Sequence, residues 1–135
     1  MSIILSPPGS GKTTWINNNK NKNIIFEDAD IVFKDLHDET FEQIPKTDKL
    51  REIHYRVIDI QLLKLKNNGR HIIGSLFWDI IPDAIVIIDT NEHKKRVSMR
   101  NDLNWDKVQI ITNFLLNHAN KYNIPIVTSF EKLIQ

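Results

Sequence analysis

The sequence has no cysteine. Disulfide scaffolds and thiolate zinc sites are therefore excluded, and the composition suits a reducing compartment. No apolar run reaches the roughly 18 residues that a membrane span needs, and no basic segment followed by a hydrophobic stretch opens the chain as a secretory signal would. Charge of one sign is missing too: 18 Lys and Arg stand against 17 Asp and Glu, a formal net charge of +1. That balance removes the global positive field of a non-specific nucleic-acid binder and leaves only local basic clusters to consider. A cytoplasmic protein with no membrane partner is the expectation.

What is present reads as one globular domain over residues 1–135, with 41% hydrophobic and 26% charged residues. Five short apolar runs, at 2–5, 24–27, 71–77, 84–88 and 125–129, are rich in Ile and Val. Their near-continuous hydrophobicity fits strands covered on both faces. Helical candidates alternate with them. A short one follows the first strand, from Lys12 to about Asn19. A long one runs from about Asp48 to Asn68, with Leu50, Ile53, Val57, Ile60 and Leu63 at helical spacing and Gly69 at its end. Another runs from Trp105 to about Tyr122, with Val108, Ile111, Leu115 and Ala119 on one face and Asn104 or Asp102 as cap. Such alternation predicts right-handed crossovers and a parallel sheet with helices on both faces, an α/β fold.

The stretch "SPPGSGKTTW" (6–15) carries the most chemistry. It follows a strand, opens a helix and ends in Gly-Lys-Thr, as a phosphate-binding loop does. Ser6 stands where that pattern has its first glycine, which is tolerable if Ser6 need not take a positive φ. In such a loop the backbone N–H groups of Gly9, Ser10, Gly11, Lys12, Thr13 and Thr14 curl around a polyanion. Lys12 would bridge the β- and γ-phosphates, and the Thr13 hydroxyl would ligate Mg²⁺. A glycine-rich helix start with an incidental lysine is the bland alternative. Guanine-specific GTPases carry Asn-Lys-x-Asp, usually with Asp-x-x-Gly, and neither occurs in this sequence.

Taken with "FEDAD" (26–30) and "EHKKRVSMR" (92–100), the loop resembles the small P-loop kinases. That group includes nucleoside monophosphate kinases, shikimate- and gluconate-type kinases and polynucleotide 5′-kinases. The resemblance implies a three-layer α/β/α P-loop NTPase fold with a five-stranded parallel sheet in the order 2-3-1-4-5. It implies ATP as donor, Mg²⁺ as cofactor and a small acceptor, with a (deoxy)nucleoside monophosphate favoured.

The same resemblance assigns roles along the chain. Asp30 would receive the acceptor's proton or order the metal, and Asp28 would face the acceptor, unless one of the two only caps a following helix. Arg96 and Arg100 would share a helical face in a short lid at about 93–104 and close on the transferring phosphoryl group. A solvated basic helix face is their plainer alternative. Asp79 at the third strand would contact Mg²⁺ through water, with Ser75 and Asp89 as other candidates. A flap at about 35–56 would bind the acceptor, with Arg51 and Arg56 on its phosphate unless they are only surface charges of a helix; Phe33 and Trp78 would stack on its base, while Trp15 and Phe26 read as core. The run "TSFEKL" (128–133) lies where the adenine would sit. Two rivals stay open: a kinase for a polynucleotide 5′-hydroxyl, with nucleic acid as partner, and a non-catalytic nucleotide-binding module.

Overall fold

The computed structural model describes residues 3–20, 24–29, 59–60, 63–64, 66–67, 69–75 and 80–134. Five strands form one sheet: β1 (Ile3–Leu5), β2 (Phe26–Asp28), β3 (His71–Gly74), β4 (Ala84–Val86) and β5 (Ile126–Val127). Every pairing is parallel and the order is β2-β3-β1-β4-β5, the order expected from the sequence. The bounded helices are α1 (Lys12–Asn18), α2 (Thr90–Ser98) and α3 (Trp105–Tyr122), and a 3₁₀ turn spans Phe130–Ile134. Among the described residues no helix is long and apolar enough to cross a membrane.

Alternation along β1 sorts the core into two layers. Ile3 and Leu5 join Ile72 and Ile85 on the face covered by Leu115 and Ala119 of α3. Ile4 points the other way, with Ile73 and Val86, toward Trp15 and Ile16 of α1 and Phe130 and Leu133 of the 3₁₀ turn. A strand buried on both faces cannot afford polar residues, which is why β1 reads Ile-Ile-Leu. Trp15 stacks on Phe130 with centroids 5.6 Å apart and tilts against Phe26, so both Trp15 and Phe26 are core, as expected.

Local signals fix the ends of α3. The Asn104 side chain accepts from the N–H groups of Asp106 and Lys107, and Asn123 ends the helix in the left-handed region at φ 54°. Elsewhere the boundaries move. β2 begins at Phe26 rather than at Ile24, because its partner β3 begins at His71, opposite Phe26; Ile24 and Ile25 precede the ladder and are exposed.

Residues 59–60, 63–64 and 66–67 are helical, and Gly69 follows at φ 79°. The apolar stripe expected there faces out at this end, since Ile60 and Leu63 are exposed while Asp59 is buried. Lys66 pairs with Asp83 (3.3 Å), whose other oxygen accepts from the Ile3 N–H. The helix end is thus tied to the start of β1 by polar contacts.

All five strands end at the same edge of the sheet. β1 lies in the middle, with its successors β2 and β3 on one side and β4 and β5 on the other. In open parallel sheets the carboxyl edge at such a reversal is where ligands bind.

Two predictions test this packing. Leu115→Ala should cost about 3 kcal/mol, whereas Ile110→Ala on the exposed face of the same helix should change stability by less than about 0.5 kcal/mol, both read from urea midpoints. His118 packs between the Phe114 and Tyr122 rings, and burial, then the charge of Lys121, holds its pKa below the ordinary 6.5. The folded protein therefore favours the neutral ring. Its contribution is complete above the unfolded value and is lost as pH falls through the lower folded one. His118→Gln should remove that part of the acid-side slope in stability against pH.

Candidate phosphate-binding site

The loop between β1 and α1 sits at the carboxyl edge. Ser6 extends β1 by donating its N–H to the Gly74 carbonyl (2.8 Å), and its hydroxyl donates to the Val86 carbonyl (2.9 Å). One buried serine thereby ties β1 to both neighbouring strands. Its backbone has no positive φ, so a side chain is accommodated where a phosphate-binding loop ordinarily has glycine. The Ser10 hydroxyl lies 2.7 Å from that of Ser6 and donates to the Pro7 carbonyl at 2.7 Å. Two protons serve three contacts, so two are made at any moment.

Gly9 and Gly11 do need to be glycine, at φ 76° and 90°. A Cβ on Gly9 would lie 2.7 Å from Val97 Cγ2, and one on Gly11 would overlap the Arg96 guanidinium. The loop is thus pressed against α2 without room for side chains.

Four of the loop's carbonyls are occupied. Pro7 accepts from Ser10 Oγ, Pro8 from His93 Nε2 (2.8 Å), Ser10 from Arg96 Nη1 (2.7 Å) and Gly11 from the Trp15 N–H (2.9 Å). Among the described residues no acceptor takes the N–H of Gly9, Ser10, Gly11 or Thr13, and no side chain caps α1. The loop is bonded largely through its acceptors and open at these four donors, which is the polarity an anion site requires.

Two buried charged groups flank the loop. Lys12 is 7% exposed, and its Nζ donates to Ser75 Oγ (2.9 Å) just beyond β3. Asp28, 5% exposed at the end of β2, accepts from the Thr13 hydroxyl at 2.5 Å. Asp28 was expected against the acceptor, and the contact found is with Thr13. Ser75, weighed as a metal contact, is found on Lys12.

Asp89, also weighed as a metal ligand, caps α2 through the Glu92 N–H (3.1 Å). Among the described residues no cluster of three or more His, Cys, Asp or Glu side chains could hold a metal ion.

Arg96 and Arg100 do not share a helical face, because α2 ends at Ser98 with Met99 as its C-cap. Arg96 also binds Glu92 (3.1 Å). Arg100 grips Asp102 with two bonds of 3.0 and 2.6 Å, and this contact holds the Asp102 carboxyl below its ordinary pKa. Both arginines still border one cavity of about 710 Å³. Gly9, Gly11 and Lys12–Trp15 line it on the loop side, and Asn18 with Thr128–Glu131 lines it farther along. The run "TSFEKL" therefore does reach the same cavity as the loop.

Asp30, Phe33, Arg51, Arg56, Trp78, Asp79 and the 35–56 flap lie outside the described residues.

Sequence reasoning missed His93. It is 2% exposed and meets Trp105 edge-on at 5.1 Å. Its signal was present: in the charged run "TNEHKKRVS", His93 and Val97 stand four apart and are the two buried residues of α2.

No protein-family model matches the chain, and comparison with characterised proteins finds no significant match.

Gly11→Ala is expected to cost about 1–2 kcal/mol from the left-handed backbone alone, plus a steric part from displacing Arg96. In an Arg96→Ala background the steric part should vanish and the backbone part persist. A urea-denaturation double-mutant cycle measures the difference.

Proposed function

We propose that the chain is a P-loop phosphotransferase that carries the γ-phosphoryl group of ATP to a small acceptor, with a (deoxy)nucleoside monophosphate as the favoured class. One observation carries the reading. The loop after β1 has four carbonyls bonded, and among the described residues the N–H groups of Gly9, Ser10, Gly11 and Thr13 have no acceptor, beside Lys12 and a cavity of about 710 Å³. A triphosphate needs such a row of donors with one cation, and a nucleoside needs a cavity continuing past them.

The residues also suit Mg²⁺. The Thr13 hydroxyl and the Asp28 carboxylate are hard oxygen donors held together at 2.5 Å. Magnesium ordinarily takes one or two such protein groups, completing its shell with water and phosphate oxygens, so a larger acidic cluster is not required. Bound there, it would neutralise charge on the transferring phosphates.

Within the chain, Lys12 would hold the β- and γ-phosphates. Arg96 and Arg100 would turn from Glu92 and Asp102 onto the phosphoryl group and exclude water. In this scheme Asp30, Phe33, Arg51, Arg56 and Trp78 bind or orient the acceptor, and Asp79 reaches the metal through water. For a phosphate acceptor Asp30 orients rather than deprotonates. The near-zero net charge favours a mononucleotide over a polynucleotide, since a long polyanion is usually met by a basic surface.

ADP release from ATP and Mg²⁺ tests the reading across ribo- and deoxynucleoside monophosphates, nucleosides, shikimate, gluconate and a 5′-hydroxyl oligonucleotide. Stimulation by a nucleoside monophosphate, reduced at least about 10²-fold in Lys12→Ala, is expected. Stimulation by the oligonucleotide alone would reassign the acceptor and make Asp30 a general base. ATP binding without turnover for any acceptor would replace the kinase by a nucleotide-binding module.

A further inference from the structure

The grip of α2 on the loop has a directional consequence. All described peptide bonds are trans, so in each planar unit the C=O and the following N–H point in opposite directions. The carbonyl of Pro8 shares its peptide with the Gly9 N–H, and that of Ser10 with the Gly11 N–H. A side chain that captures one of these carbonyls therefore fixes the direction of the next amide. His93 captures the first at 2.8 Å and Arg96 the second at 2.7 Å. A carbonyl only accepts, so His93 Nε2 carries the proton in this contact.

The two captures differ in permanence. Arg96 is exposed, with 44% of its side chain accessible, and divides its donors between Ser10 and Glu92. His93 is 2% exposed and is wedged against Trp105, the first residue of α3. Val97, one turn along α2, closes on Gly9. Neither ring nitrogen of His93 reaches the cavity, whose lining omits it.

We infer that His93 is a positioning residue: its hydrogen bond to the Pro8 carbonyl orients the Gly9 amide for phosphate, and His93 itself touches no nucleotide. The inference rests on the phosphate-binding reading proposed above. Free rotation of the Pro8–Gly9 peptide would average that donor's direction, and orienting it before binding removes the ordering cost from the binding step.

The chain's four glycines make the test compact. Selective ¹⁵N-glycine labelling gives signals for Gly9 and Gly11 in the loop and for Gly69 and Gly74 as internal controls. Each protein is titrated with ATP and Mg²⁺. In the wild type the Gly9 and Gly11 signals should shift saturably and the Gly69 signal should stay. His93→Phe keeps a ring against Trp105 but has no donor, and should raise the dissociation constant tenfold or more with little change in thermal midpoint. His93→Gln places an amide N–H near the position of Nε2 and should bind within threefold of wild type. His93→Asn, whose donor stops short, should behave like the Phe variant.

A Phe variant that binds like wild type would sink the inference while leaving the functional reading intact. So would a Gln variant as weak as Phe, or failure of both the Phe and Asn variants to fold, which would make His93 a purely structural residue. A wild type whose Gly9 and Gly11 amides ignore ATP would overturn the functional reading, and the inference with it.

Discussion

The opposed direction of C=O and N–H within a planar peptide governs this molecule's candidate site. Six residues must leave a buried central strand, turn, and enter a helix within a space too tight for side chains at Gly9 and Gly11. Each polar backbone group in that space needs a partner or an open direction. Four of the acceptors are met, by Ser10, His93, Arg96 and the Trp15 amide. Where a captured carbonyl precedes an N–H, at Gly9, Gly11 and Lys12, that donor is committed to the opposite side. The loop therefore takes part of its polarity from α2, which holds the Pro8 and Ser10 carbonyls.

Burial of charge at the same edge points in a consistent direction. Lys12 and Asp28 are both nearly inaccessible at the ends of a sheet whose interior is aliphatic. Burying an ammonium and a carboxylate costs several kcal/mol each unless hydrogen bonds and opposite charge offset it. Ser75 and Thr13 supply two of those bonds. Folds seldom place such groups at strand ends for stability alone, because apolar residues would pack there at lower cost. On the proposed reading, a triphosphate with its metal meets both charges at once, the cation on phosphate oxygens and the carboxylate toward the metal.

Much of the fold was legible in the sequence, and the reasons are local. Runs such as Ile3–Leu5 and Ala84–Val86 announce doubly covered strands because both faces must be apolar, and the turn before Lys12 announces itself through residues with restricted or permissive φ. Boundaries set by a neighbour were not legible. Ile24 and Ile25 look like strand, but the ladder starts only where His71 stands opposite Phe26. Arg96 and Arg100 look like a helical pair, but α2 stops at Ser98. Ser6 looked like a defect in the loop pattern; two strands eighty and sixty-eight residues away turn it into a brace. His93 escaped for the same reason, since its partner is a carbonyl 85 residues earlier in the chain.

Helix α2 divides its work between a fixed contact and a loose one. The buried end, His93 with Val97, holds the loop at Pro8 and Gly9. The exposed side, Arg96 with Glu92, is an i,i+4 surface pair, and such pairs contribute only about 0.3–0.5 kcal/mol. Arg100 with Asp102 is similarly exposed. An anion arriving in the cavity competes with carboxylates that hold these guanidiniums weakly, so either arginine can change partner at little cost. Losing the His93 contact instead leaves an imidazole that is 2% exposed without its partner at Pro8, at about 1–3 kcal/mol. On the proposed reading this difference is what a lid requires: arginines that move onto the phosphates while the Gly9 amide, held through His93, stays in place.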